Sequence, residues 1–130
     1  DVCSSDLQLV VSDDYIPYNE VLELQENVSV NLILESVASE SPFLPGKFPH
    51  CIVANKPIVH LGPKKSETNR LLGENYSYCS EADDIGRIAY LLEDLYLKWK
   101  KNCKNLILDR PDLNNYLSST HLKRQLETLA

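Results

Sequence analysis

The sequence predicts an α/β domain built on a parallel sheet, and three observations carry that expectation. Short apolar runs rich in β-branched residues alternate with helical segments along the chain, the order that right-handed β–α–β units produce. One such run, Val28-Ser29-Val30-Asn31-Leu32-Ile33-Leu34, is apolar almost throughout, as suits a strand covered on both faces. The composition, 43% hydrophobic and 25% charged over 130 residues, is that of one folded domain rather than a disordered chain.

The elements follow in order. Residues 8–12, Gln-Leu-Val-Val-Ser, read as a strand, and Asp13-Asp14-Tyr15-Ile16-Pro17 as a turn whose proline suits a first helical turn. Residues 18–25 form a short helix and 28–34 a strand. A loop with two prolines spans 35–46, followed by a helix over 47–54 and a second strand over 56–61. Gly62-Pro63-Lys64-Lys65 punctuates the chain. Ser66 then caps a helix that stops at Gly73, with Glu67 in its first turn. Residues 76–79 are a further strand, and Ser80-x-x-Asp83 is a capping-box variant. The long helix 81–101 carries Ile85, Ile88, Ala89, Leu92, Leu95, Tyr96 and Trp99 at steps of three and four, which predicts one buried stripe. Asp109-Arg110-Pro111-Asp112 breaks the chain, and the segment from Leu113 to Ala130 is helical, in one or two pieces.

Charge and cysteine usage narrow the classes of function. With 13 basic and 19 acidic residues the net charge is −6, which argues against a generic nucleic-acid-backbone binder. No apolar run approaches the ~20 residues of a membrane span. Cys51, Cys79 and Cys103 are widely spaced and form no C-x-x-C pair, so neither a zinc pattern nor a disulfide framework is predicted. They read as buried thiols without chemistry, and a reducing, cytoplasmic compartment is expected. The first seven residues, Asp1-Val2-Cys3-Ser4-Ser5-Asp6-Leu7, match the translation of a common sequencing-adapter primer. They are expected to be a read-end artefact, leaving a chain truncated at its N-terminus.

Ligands of open parallel sheets bind in the loops beyond the carboxyl ends of strands. That rule singles out residues 35–47 and 62–66. In the first, Ser41-Pro42-Phe43-Leu44-Pro45 is stiffened by its prolines, Gly46 permits close backbone approach, and Lys47 falls at a helix start. A lysine there is electrostatically misplaced unless an anion sits above it, so the free N–H groups around Gly46, the helix dipole and Lys47 together suggest a phosphate site. His50, three residues on, lies on the same side of the helix. In the second loop, Gly62, Ser66 and Glu67 are candidate sugar or phosphate contacts, set against the plainer roles of turn, cap and first-turn charge. His60 sits inside an apolar strand near its end. There is no G-x-G-x-x-G, Walker loop, nucleophile elbow or compact His/Cys cluster.

Taken together, Ser39-Glu40-Ser41-Pro42-Phe43-Leu44-Pro45-Gly46-Lys47-Phe48-Pro49-His50 and Asn55-Lys56-Pro57-Ile58-Val59 resemble the donor-binding region of GT-B-fold retaining glycosyltransferases, the group 1 or family 4-like enzymes. Tyr15 to Val21, Ser66-Glu67-x-x-Arg70-Leu71-Leu72 and the C-terminal helices extend the resemblance over most of the chain. His50 stands where many members carry a ribose-binding glutamate, and Pro42 where the first of their paired glutamates falls. The resemblance implies a Rossmann-like three-layer domain with C-terminal helices, residues 8–112 forming the donor domain. Residues 113–130 would be a tail that packs on a missing N-terminal domain. It implies a nucleotide-diphosphate sugar as donor, an unknown acceptor, no metal or other cofactor, and a fragment inactive by itself. Ser41, Pro42, Phe43, Leu44, Pro45, Gly46, Lys47 and His50 would bind the donor. The catalytic residues on the acceptor side would lie outside this chain. A sugar-nucleotide 2-epimerase of the same fold and a non-catalytic α/β regulatory module are the alternative readings.

Overall fold

The computed structural model describes residues 13–102 and 105–129. The expected strand at 8–12, Cys103 and the first seven residues lie outside them. Helix α1 spans Tyr18–Asn27 and follows Pro17, as the pyrrolidine's fixed φ predicts. It runs further than expected, because the Val28 N–H still bonds the Leu24 carbonyl. Strand β1 is consequently short, Asn31–Leu34.

After β1 the chain makes a two-residue strand β2, Glu40–Ser41, then helix α2, Phe48–Ala54. Asn55 ends α2 in the left-handed region at φ 54°, the role glycine or asparagine usually fills. Strand β3, Ile58–Leu61, is buried at every position. The two-residue β4, Lys65–Ser66, leads into α3, Glu67–Leu72, whose start is capped as predicted: the Ser66 hydroxyl accepts from the Asn69 N–H at 3.1 Å.

Strand β5 is Cys79–Ser80, later than the sequence suggested. Tyr76 does not extend it. Its hydroxyl instead accepts from the Ile58 N–H at 2.9 Å and donates to the Ile58 carbonyl at 2.8 Å, substituting a side chain for a ladder rung. Helix α4 covers Ile85–Lys101, and its cap is Asp84, whose Oδ1 accepts from the Arg87 N–H at 2.9 Å. The capping box expected at Ser80 is therefore corrected, since the Ser80 hydroxyl is spent on the Glu81 carbonyl. Helix α5, Pro111–Tyr116, and helix α6, Ser119–Leu129, complete the order.

The sheet is parallel, in the order β1-β3-β5, with Leu34 beside Leu61 and His60 beside Cys79. A second parallel pair, β2-β4, joins the two loops that the sequence had singled out. Apolar residues pack on both faces. Ile33 and Ile58 meet Phe48 and Ile52 of α2, Leu71 and Leu72 of α3, and Leu113 of α5. On the other face Val59 and Leu61 meet Leu95 of α4.

Two expectations about burial are corrected. Strand β1 is buried on one face only: Asn31 and Ile33 are covered, Leu32 and Leu34 exposed, because α4 lies over β3 rather than β1. On α4 the buried line is Leu91 and Leu95, while Ile85, Leu92 and Tyr96 of the predicted stripe are exposed. A stripe that wide exceeds what one sheet face can cover.

Arg110 ties the C-terminal segment to the core. Its guanidinium donates to the Leu72 carbonyl at 2.6 Å and the Leu71 carbonyl at 3.2 Å, satisfying the end of α3, and pairs with Asp112. Arg110→Ala is expected to cost about 1–2 kcal/mol by leaving those carbonyls without their charged donor. Urea unfolding checks this as a lower midpoint at unchanged slope.

Candidate functional site

A cavity of about 820 Å³ opens at the carboxyl edge of the sheet. The loop after β1 supplies Glu40, Ser41 and Pro42. The loop after β3 supplies Gly62, Lys64, Lys65 and Ser66, and α3 supplies Glu67, Asn69 and Arg70. Tyr76, Cys79, Ser80 and Glu81 close the side next to β5, with Arg87 of α4. The β2-β4 pairing brings the two loops side by side, Ser41 in register with Ser66.

The charges are mixed. Glu67 and Arg70 form a bidentate pair at 2.8–3.0 Å, and Lys64 lies 3.5 Å from Glu81. No ion pair involves Lys65 among the described residues, which leaves that cation available to a ligand. Arg87 donates to the Ser77 carbonyl and lies over the Tyr90 ring.

Beneath the cavity lies a buried polar group that the sequence placed only in part. His60 is fully buried. Its Nε2 is 2.7 Å from Glu35 Oε1 and its Nδ1 3.0 Å from Asn69 Oδ1. The Thr68 hydroxyl donates to the same Glu35 oxygen at 2.9 Å. Burial works to raise the Glu35 pKa. Hydrogen bonds from Ser41, Thr68 and His60, with the charge of His60, outweigh it and hold the carboxyl below its usual range. Gly62 lies directly on this group: a Cβ there would come within 2.9 Å of both Glu35 Cβ and His60 Nε2. Only glycine fits, which gives this cavity residue a packing reason.

The predicted site residues divide. Ser41, Pro42, Gly62, Ser66 and Glu67 come together around the cavity. Lys47 and His50 do not line it. Lys47 is exposed at the start of α2, at the same edge of the sheet, and His50 meets the Tyr18 hydroxyl at 2.9 Å. Phe43 is exposed, Leu44 packs on the core, and Gly46 has open space where a Cβ would stand. The start of α2 also offers fewer amides than expected, since the Phe48 N–H is spent on the Pro45 carbonyl and Pro49 has none. The residues that sequence reasoning missed are Glu35, Thr68 and Asn69. Their signal was indirect, a histidine inside a buried strand that must find polar partners.

Burial disfavours the thiolate form of both described cysteines. Burial raises the pKa of Cys51 and pushes that of Cys79 up to about 11. Among the described residues no cluster of three or more His, Cys, Asp or Glu side chains could hold a metal ion. No described helix is long and apolar enough to cross a membrane.

Fold and cavity define an α/β domain with a small parallel sheet and a polar cavity at its carboxyl edge. No family model, curated protein or solved structure matches this chain.

Proposed function

We propose that the chain is the donor-binding part of a GT-B-fold glycosyltransferase, a Rossmann-like domain that holds a nucleotide-diphosphate sugar over the carboxyl edge of its sheet. The supporting observation is the position and lining of the cavity. It lies where open α/β sheets bind ligands and is bordered by Lys64, Lys65, Arg70 and Arg87. Two loops from successive β–α units meet there through β2 and β4.

In this reading the diphosphate is the leaving group. Its negative charge grows as the glycosidic bond breaks, so cations held at the cavity stabilise the transition state more than the ground state. Lys65 and Lys64 are assigned that role, since they line the cavity and Lys47 does not. Ser66, whose hydroxyl oxygen accepts the Asn69 amide, offers its proton to the sugar or phosphate, and Ser41, which donates to Glu35, offers a lone pair to a sugar hydroxyl. Charge neutralisation is thus assigned to side chains of the chain itself. The acceptor and the groups acting on it belong to an N-terminal domain outside this sequence. Helix α6, with Leu122, Leu126 and Leu129 exposed along one side, is the surface assigned to that domain.

Titration calorimetry of the whole chain with UDP, GDP and ADP tests the reading. One of the three is expected to bind. The Lys64→Ala/Lys65→Ala variant should weaken it at least tenfold, since charge-assisted hydrogen bonds to phosphate contribute about 1.5–3 kcal/mol each. A double variant that binds as tightly as the wild type refutes the assignment.

A further inference from the structure

The hydrogen bonds around His60 fix which of its ring nitrogens carry protons. Asn69 Nδ2 has two hydrogens, and both have acceptors: the Pro63 carbonyl at 3.0 Å and the Lys64 carbonyl at 3.2 Å. The amide oxygen of Asn69 is therefore the atom that faces His60 Nδ1, and Nδ1 must carry a proton. On the other side of the ring, Glu35 Oε1 already accepts from Thr68 and lies 2.7 Å from Nε2. Its donors hold Glu35 ionised, and a carboxylate can only accept, so Nε2 carries a proton as well.

We infer that Glu35 and His60 form a buried carboxylate–imidazolium pair that, through Asn69, holds the 63–66 loop in the shape that presents Lys64, Lys65 and Ser66 to the ligand. The inference rests on the proposed donor site for the ligand's identity but not for the pair itself. Every element around the ring is consistent with it. Glu35 at the end of β1 supplies the only carboxylate hydrogen-bonded to the ring among the described residues. Thr68 and Asn69 of α3 are neutral, and so is the protonated thiol of Cys79, the register neighbour on β5. Gly62 seals the pair from above. Loss of the Nε2 proton would set a ring lone pair against a carboxylate 2.7 Å away. His60 is thus a positioning residue: the Asn69 carboxamide is oriented by His60 Nδ1–H and in turn orients two loop carbonyls.

Two measurements on the full chain test this. Nitrogen-15 NMR of the imidazole in the wild type should find both His60 nitrogens protonated at pH 7, and a bare nitrogen at either position overturns the pair. In Asn69→Asp the ring keeps its acceptor but the Pro63 and Lys64 carbonyls lose their donor. UDP, GDP or ADP, whichever binds the wild type, should bind this variant at least fivefold more weakly, with amide exchange at Lys65 and Ser66 accelerated. Unchanged affinity together with unchanged exchange overturns the positioning role. If no nucleoside diphosphate binds the wild type, the donor-site reading fails. The ring nitrogens and the exchange of Lys65 and Ser66 then still decide this inference.

Discussion

Replacing His60 by leucine is expected to cost about 3–5 kcal/mol of folding stability, because it leaves Glu35 buried without its charged partner. The Glu35 side chain is 7% exposed and keeps only the hydroxyl donors of Ser41 and Thr68. The double variant Glu35→Leu/His60→Leu should recover much of that loss, since two apolar side chains of similar volume dispense with the desolvation of both ions. Denaturant unfolding of the wild type, both single variants and the double variant closes the cycle. The pH dependence gives an independent sign. In the wild type the Glu35 pKa is lowered, so its contribution is present above the unfolded carboxyl range and is lost as pH falls through the folded value. In His60→Leu the same carboxyl is buried against apolar surface, which disfavours its charge, and protonation relieves the strain. The gap between wild type and variant should therefore be wider at pH 7 than at pH 4. An equal gap at both would show that Glu35 is not the group left behind.

Phe48→Ala should have a comparable effect by a different route. Phe48 is fully buried in the cluster formed by Ile33, Ile58, Leu72 and Leu113, so truncation leaves a cavity walled by a strand pair and three helices. The expected loss is about 3–5 kcal/mol, a large part of the ~5–15 kcal/mol that holds a domain together. Phe48→Leu should cost much less, as the volume is largely kept. Thermal unfolding of the two variants reads the difference directly. Because Lys47 immediately precedes Phe48, the alanine variant should also loosen the start of α2.

Elements with local signals were legible from the sequence. Ser66 caps α3 because its side chain alone at that point can accept the third amide of the turn. Alternating strands and helices implied the parallel pairing of β1, β3 and β5. Features decided by tertiary context were not. Asp84 displaced Ser80 as the cap of α4, and the two residues are too similar in capping preference for spacing to separate them. Leu32 and Leu34 looked like core, but which strand α4 covers is a packing outcome. The site showed the same division. Proline and glycine marked the loops around Ser41 and Gly62, whereas the partnership of Glu35, His60 and Asn69 spans three elements and has no spacing in sequence. Lys47 was conspicuous by its position at a helix start, yet the cavity is lined by the lysines of the other loop.

The two C-terminal helices differ in what anchors them. The Leu108 and Asp109 amides are held by the carbonyl and side chain of Asn55, and α5 places Leu113 in the core, with Leu117 packed against it. Helix α6 buries no residue. The core thus ends at Leu117, and the eleven residues of α6 meet the rest of the chain through α5, with the His121 ring 5.0 Å from that of Tyr116. Melting of α6 alone is therefore expected to expose no core residue, whereas melting of α5 would open the core at Leu113.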